Sequence, residues 1–354
     1  NDVIVGAASA AVRGDILNST TGGDGGTITL AAADDASVDG VVDNRSTGTG
    51  GNISITGADG SANVSNSANN LTFAIDNSTT GGTGGNITLS ASGAGENVTV
   101  AGSILNSSTG DAGNITLASA NSAVSVTDGG ADTANIDNTS SAGNAGNITV
   151  TAFNAVTVDG FINNSTTGSA GSINLTSSNS SVQVLNDANN SFAVNNSTTG
   201  GNGGTIAVSA GGASGSVQVD GAILNTASGA GGVVQLTSVN NDISVLNTTT
   251  DRGDIINTAA SGDGGSVLLN AGDDVVVDGV INNSSTATGG TVSLVSTDGT
   301  VDVQNDGNNA SFAINNSTSG GNGGAVTLTS AGAGEDTLVD GNILNNSTGS
   351  GGSV

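Results

Sequence analysis

The chain has 354 residues and a net charge of −27, produced by 28 Asp, 2 Glu and 3 Arg. It contains 59 Gly and five Phe but no Pro, Cys, Met, Trp, Tyr, His or Lys. The negative charge repels nucleic acid and anionic lipid. The chain also lacks most of the side chains that enzymes use as general acids, general bases and nucleophiles. No apolar run approaches the ~20 residues that span a membrane. We therefore predict no nucleic-acid partner, no membrane insertion and no enzymatic activity.

One short motif, Gly-Gly-x-(Ile/Val)-x-(Leu/Ile/Val), recurs from residues 25–30 to residues 323–328. Its apolar residues lie two apart, with a small or polar residue between them, which is the period of a strand with one buried face. Apolar residues are phased in this way throughout the chain, which disorder does not produce. A single strand of this kind cannot bury its apolar face alone, so we expect it to stack on its own copies.

Cutting after each Gly-Gly or Ala-Gly gives twelve coils, numbered 1–12 below, and the full coils have 25–34 residues. They end at residues 26, 51, 85, 113, 146, 171, 204, 232, 265, 290, 324 and 352. The coil lengths themselves repeat every four coils, which defines a super-repeat of about 120 residues. Residues 27–146, 147–265 and 266–352 are successive super-repeats, and residues 1–26 match the end of a preceding one. Repeats of this size are typical of solenoids.

Each coil contains three predicted strands: the opening motif, a Val-x-Val alternation such as Val156/Val158, and a short segment ending in a β-branched residue. The absence of Pro leaves every backbone N–H free for a ladder, and Gly is too frequent for helices. The predicted fold is all-β, a parallel β-solenoid, expected to be a right-handed β-helix. Residues 1–354 would form a single continuous shaft about 55–60 Å long at ~4.8 Å per coil.

An Asn follows the core residue of the third strand by two positions in every coil, so its side chain should point inward. These residues are Asn18, Asn44, Asn77, Asn106, Asn138, Asn164, Asn196, Asn225, Asn257, Asn283, Asn316 and Asn345. Inward Asn side chains can form a hydrogen-bonded ladder from coil to coil. Ten of them also begin an Asn-x-Ser/Thr sequon, and glycosylation would require exposure. The sequence favours a structural ladder over a glycan column.

The longer coils carry extra polar segments that should bulge at one corner of the solenoid. They are residues 66–70, 128–132, 186–190, 248–254 and 305–309. Their carboxylate and amide oxygens suit Ca²⁺, with Asp128, Asp132, Asp187 and Asp306 as candidate ligands. Asn, Asp and Gly are also ordinary turn residues, so turn formation is the alternative. No other cofactor is indicated.

Coils such as residues 146–168, with Gly-Asn-Ile-Thr-Val followed by Val-Thr-Val-Asp-Gly, resemble the repeats of filamentous-haemagglutinin-type large exoproteins. The resemblance covers the whole chain at the level of the repeat. It implies a β-helical shaft on, or released from, a bacterial surface, and hence an extracellular or cell-surface location. The Asn-Pro motifs of that family's secretion domain are missing, because the sequence contains no Pro.

Both chain ends fall within a coil: residues 1–5 match residues 241–245, and residues 353–354 match residues 233–234. Uncapped solenoid ends pair readily with another chain. The expected partners are therefore copies of the chain, or flanking segments of the same array, stacked end to end. The functional expectation is a structural shaft segment of a giant extracellular surface protein or fibre. The alternative is an adhesin that binds Ca²⁺ or surface glycans through its corner loops.

Overall fold

A computed structural model describes residues 1–6, 14–66, 73–128, 134–186, 191–249, 251–305 and 311–354. Within these ranges the regular structure consists of 35 short strands, and the predicted all-β parallel β-solenoid is confirmed. The strands form three parallel sheets, and each coil adds one strand to each sheet in turn. The described part of the chain contains no helix long and apolar enough to cross a membrane.

The broad sheet has eleven strands of five or six residues, built from the Gly-Gly motif. Because the motif recurs once per coil, each strand pairs with the equivalent strands of the two flanking coils. The strands are Ile28–Ala32, Ile53–Gly57, Ile87–Ala91, Ile115–Ser119, Ile148–Ala152, Ser172–Ser177, Thr205–Ala210, Val233–Ser238, Ser266–Ala271, Thr291–Ser296 and Ala325–Ser330.

The middle sheet contains twelve strands of three or four residues, including the predicted Val-x-Val segments. Its strands are Val3–Val5, Ala36–Val38, Ala62–Ser65, Val98–Ala101, Val124–Thr127, Val156–Val158, Val182–Val184, Val217–Asp220, Ile243–Leu246, Val275–Val277, Val301–Val303 and Thr337–Val339. These short strands follow the turn that closes each strand of the broad sheet.

The narrow sheet contains twelve strands of two residues each. They are Ile16–Leu17, Val42–Asp43, Ile75–Asp76, Ile104–Leu105, Ile136–Asp137, Ile162–Asn163, Val194–Asn195, Ile223–Leu224, Ile255–Ile256, Ile281–Asn282, Ile314–Asn315 and Ile343–Leu344. Each begins with the core β-branched residue, and the ladder Asn stands two positions after that residue.

The core is a stack of identical columns of aliphatic side chains. Ile148 pairs in register with Ile115 of the previous coil and Ile173 of the next, and all three are fully buried. Ile162 lies in the equivalent column of the narrow sheet, between Ile136 and Val194. β-Branched residues suit such pleated, stacked surfaces. One column therefore repeats the same contact from coil to coil, so stability should accumulate coil by coil.

The glycines that end each coil are required by the close approach of neighbouring backbones. A Cβ at Gly51 would lie 1.8 Å from the Gly26 carbonyl oxygen, and a Cβ at Gly146 would lie 1.8 Å from that of Gly113. No side chain fits at such distances. The Gly-Gly punctuation is therefore a packing requirement of the stacked corner.

Candidate functional site

The inward Asn residues form one continuous column at the corner after the narrow sheet. In each link the Nδ2 of one Asn donates to the Oδ1 of the Asn in the next coil, at 2.8–3.5 Å. The links connect all twelve Asn side chains predicted from the sequence, from Asn18 to Asn345. The ten from Asn44 to Asn316 are 0% exposed. The Asn ladder is present as predicted.

The amide groups of the ladder also donate hydrogen bonds to the glycines that end each coil, which together form what we call the Gly corner. The Nδ2 of each Asn from Asn44 onward donates a second hydrogen bond, at 2.9–3.2 Å, to the carbonyl of the Gly that ends the preceding coil. Asn164, for example, reaches the Gly146 carbonyl at 2.9 Å and the Asn196 Oδ1 at 2.9 Å. Both amide hydrogens are thus satisfied in the interior, where an unpaired polar group is costly.

The sequon pattern of the column has a structural explanation. In eight of the ten sequons the Ser or Thr two positions after the ladder Asn is also buried, as at Thr79, Ser140 and Thr198. The hydroxyl of Ser140 donates to the Gly110 carbonyl at 2.6 Å, and Thr198 makes the equivalent bond to Gly168. In the two coils without a sequon, buried Ala227 and Ala259 occupy the same position. The Asn-x-Ser/Thr pattern therefore follows from two inward positions of one corner.

A second Asn column lies on the outside of the solenoid and was not predicted from the sequence. Asn52, Asn86, Asn114 and Asn147 directly follow the Gly that ends a coil, and all four are exposed. The Oδ1 of each accepts the backbone N–H of the equivalent residue in the next coil at 2.8–3.0 Å. The recurrence of Asn directly before Ile was the signal in the sequence that could have indicated this column. The backbone N–H that each Asn oxygen accepts is set by the register between coils, which the sequence does not show.

Of the candidate Ca²⁺ ligands, the structure describes only Asp128, whereas Asp132, Asp187 and Asp306 lie outside the described residues. Asp128 is exposed, and among the described residues it belongs to no cluster of acidic side chains able to hold a metal ion.

In the described part of loop 248–254, the Asp side chains hydrogen-bond to residues of other coils. The amide of Asn186, two coils earlier, donates to Asp251 Oδ2 at 3.3 Å, and Asp254 Oδ1 accepts the Val280 N–H at 2.8 Å. Burial raises the pKa of Asp251 above its ordinary value, which the Asn186 hydrogen bond opposes and nearby Asp254 reinforces. Within the loop, the Asp251 N–H donates to the Thr248 hydroxyl at 2.8 Å and the Thr248 N–H donates to the Asp251 carbonyl at 2.7 Å, which is turn chemistry.

Carboxylates converge at a different place, the turn between the broad and middle strands, which we call the acidic corner. Its acidic members are Asp2, Asp34, Asp35, Asp59, Glu96, Asp242, Asp273, Asp274, Asp298, Glu335 and Asp336. Two triads have one oxygen of each carboxylate within 4.8 Å of the others: Asp2, Asp34 and Asp35 near one end, and Asp242, Asp273 and Asp274 in coils 9 and 10. Such oxygen sets are the kind that hard divalent cations accept.

The carboxylates of the acidic corner also have structural partners. Asp35 Oδ1 accepts the Ser61 N–H at 2.8 Å, and Asp274 Oδ1 accepts the Thr300 N–H at 2.7 Å, each from the next coil. Burial raises the pKa of Asp273, and so do the like charges around it, Asp274 first among them. Both triads therefore supply acceptors for backbone N–H groups just before strands of the middle sheet. The close approach of the carboxylates in each triad also makes them repel one another.

The narrow sheet carries a small charged network. Arg45 binds Asp43 through Nη2 at 2.6 Å, lies 3.6 Å from Asp76 and sits 5.8 Å above the ring of Phe73. Burial alone would raise the pKa of Asp43, but Arg45 outweighs it and lowers that pKa. Burial dominates at Asp76 and at Asp137, and the pKa of each is raised. Among the described residues, only hydrogen bonds from Thr139 and Ser107 oppose the effect of burial at Asp137.

A shallow groove beside the narrow sheet is lined by hydroxyl and amide groups of coils 5–7. Its volume is about 510 Å³, and its walls include Thr139, Ser141, Thr167, Asn195 and Thr199. No charged or aromatic side chain lines it. Its chemistry is that of a polar surface able to exchange hydrogen bonds with water or hydroxyl groups.

Comparison with known proteins does not add to this description. No protein-family model, no curated protein and no solved structure matches the chain. The resemblance to filamentous-haemagglutinin-type repeats remains a prediction from the sequence.

Proposed function

We propose that this chain is a structural shaft segment of a giant extracellular surface protein or fibre. The observation that carries the proposal is the uninterrupted stacking: two sheets run through twelve strands and one through eleven, and the Asn ladder follows them through every coil. In this architecture each strand pairs with the equivalent strands of the neighbouring coils, so length can grow by adding coils without redesigning a core. Such a molecule serves as a spacer of defined length.

The chemistry of the coil suits exposure outside a cell. The structure depends on no Cys, Met, Trp or Tyr, all of which the sequence lacks, so its core offers few groups to oxidation. The net charge of −27 keeps such a rod soluble and resists nonspecific association with nucleic acid. Because each coil presents the same backbone pattern to the next, stacking onto copies or flanking segments of the array is part of the proposal.

Immunogold labelling of the source cells tests this proposal. Antibodies raised against the purified chain should label intact cells or extracellular fibres, and an antibody against a cytoplasmic protein should label only opened cells. Labelling by both antibodies only after the cells are opened would overturn the surface location.

A binding assay separates the shaft from the predicted alternative, an adhesin acting through Ca²⁺ or glycans. A shaft should show no saturable binding to host glycans, with or without added Ca²⁺. Saturable, Ca²⁺-dependent glycan binding by this chain would favour the adhesin.

A further inference from the structure

The outward face of the broad sheet differs from the other two sheets because its strands carry no charge. None of the 30 acidic residues and none of the 3 Arg lies within its eleven strands, all of which are described. We call its outward side chains the neutral face. Their central column, in register from coil to coil, is Thr29, Ser54, Thr88, Thr116, Thr149, Asn174, Ala207, Gln235, Leu268, Ser293 and Thr327.

The other two sheets are not neutral. Strands of the middle sheet contain Asp220 and Asp302, and strands of the narrow sheet contain Asp43, Asp76 and Asp137. The acidic corner borders the neutral face along one long edge. The chain has a net charge of −27, so two copies repel each other overall. Of the three sheets, only the broad sheet would present no charged strand residue to a second negatively charged surface.

The size of the neutral face is that of a stable protein interface. Eleven strands at ~4.8 Å and five or six residues at ~3.3 Å give a face about 50 Å long and 16–20 Å wide. That area, about 800–1,000 Å², matches the ~800 Å² per partner of standard interfaces. Its residues are mostly Thr, Ser and Asn, short side chains of the kind that interdigitate between paired sheets.

We propose that the neutral face binds the neutral face of a second copy of this chain, forming a lateral dimer of two solenoids. The charge distribution favours this occupant: two copies carry negative charge at the acidic corner and on the other two sheets, and they can approach closely where neither has a charged strand residue. No aromatic residue lies within the eleven strands, so the face lacks the rigid hydrophobic anchors that usually dominate interface energetics. Regular matching of identical 4.8 Å repeats supplies complementarity instead. This association is independent of the proposed surface location.

The acidic corner also fixes the relative direction of the two copies. A two-fold axis parallel to the strands, and so perpendicular to the solenoid axis, would make the two copies antiparallel. It would place the acidic corner of one copy against the acidic corner of the other. A two-fold axis parallel to the solenoid axis keeps the copies parallel, with each acidic corner over the partner's Gly corner, where the coils carry only Asp24, Asp111 and Asp263. The parallel arrangement avoids the larger repulsion, and it is an isologous, closed contact.

Sedimentation equilibrium of paired charge variants tests the face. Thr116→Asp/Thr149→Asp adds two charges to the neutral face, and Ser125→Asp/Thr157→Asp adds two in the same coils on the middle sheet. All four positions are half-buried outward residues. The wild type and the middle-sheet variant should be dimers whose association tightens with added salt, as screening predicts. The face variant should associate at least about 100-fold more weakly, because like charges then oppose one another across the contact.

Two results of this experiment would overturn the proposal. One is a wild-type chain that stays monomeric at every concentration and salt. The other is equal behaviour of the two variants, with circular dichroism showing both folded. If the wild type is monomeric but the face variant loses binding to a polysaccharide or to ice, the face has a different occupant and the second copy is excluded.

Cysteine cross-linking tests the direction, and the absence of native Cys makes it unambiguous. Thr88→Cys and Leu268→Cys lie in the central column of coils 4 and 10, six coils apart. With a bis-maleimide spanning the ~10 Å between packed sheets, the parallel dimer cross-links each variant to itself. Cross-linking only in a mixture of the two variants would show the antiparallel arrangement and overturn the parallel one. Thr99→Cys, on the middle sheet of coil 4, is the control that should not cross-link.

Discussion

This solenoid has an inner Asn column through all twelve coils and an outer Asn column through coils 3–6, and the two use the same side chain differently. In the inner column Asn164 engages its Oδ1 and both amide hydrogens, and it is fully buried. In the outer column Asn114 is exposed, and its Oδ1 accepts the N–H of Asn147 at 2.8 Å. Both columns advance one residue per coil. From this comparison we expect burial, rather than recurrence in the sequence, to decide how much stability a repeated residue supplies.

The largest expected effect comes from placing a charge in the inner column. Asn164→Asp replaces an amide that donates to Gly146 and Asn196 with a carboxylate that has no hydrogen to donate. An unpaired buried charge should reduce the free energy of unfolding at pH 7 by at least about 3 kcal/mol. Chemical denaturation measures this loss. It should shrink as the pH falls, because burial favours the protonated acid.

The matched change on the outside is Asn114→Asp, which adds one exposed charge and leaves an oxygen available to the Asn147 N–H. Its unfolding free energy should stay within about 0.5 kcal/mol of the wild type. Equal losses from the two substitutions would contradict the assignment of inner and outer columns.

Removing the amide without adding charge should have an intermediate effect. Asn164→Ala leaves the Asn138 amide and the Asn196 Oδ1 each without its link to this position. The expected loss of unfolding free energy is about 1–3 kcal/mol. Asn114→Ala is the control and should cost less than about 0.5 kcal/mol, since water replaces the lost contact. Thermal melts of both variants check the difference, and a glycan on Asn164 in the native chain would refute the inner ladder altogether.

A smaller effect is expected at Asp137, an outward residue that is nevertheless shielded. Burial raises its pKa, so the charged form destabilises the folded chain and stability is lost as the pH rises through the folded-state pKa. Asp137→Asn should raise the melting temperature at pH 7, because Asn163 already fills the same column in the next coil. The gain should vanish below the ordinary value of 3.8. A gain that is independent of pH would show that burial of the charge is not the cause.

The smallest effect is expected from a conservative change in the outer column. Asn147→Ser copies Ser172, which occupies this position in the next coil. The unfolding free energy should change by no more than about 0.5 kcal/mol. A larger loss in chemical denaturation would mean that the outer column contributes to stability as the inner one does.

The features that could be predicted from the sequence are those that follow from its repeating pattern of residues. Strands, inward columns and the Asn ladder follow from apolar residues two apart and from an Asn at a fixed offset, as at Ile162 and Asn164. The outer Asn column and the triad of Asp242, Asp273 and Asp274 were missed, because water can satisfy polar groups at the surface, so their recurrence alone does not require a protein partner. Coil lengths vary between 25 and 34 residues, so only the three-dimensional register shows which outward groups meet.

The one-way direction of the Asn ladder gives the solenoid an electrical polarity. From Asn44 to Asn345, each ladder side-chain carbonyl accepts from the Asn of the preceding coil, so the amide dipoles point the same way, as peptide dipoles do along a helix. The parallel sheets around the column have only small net dipoles to cancel it. Hydrogen bonds in a chain also polarise one another, so a link flanked by many others should be stronger than an isolated one. The two directions along this rod are therefore electrostatically distinct, positive towards coil 12 and negative towards coil 1.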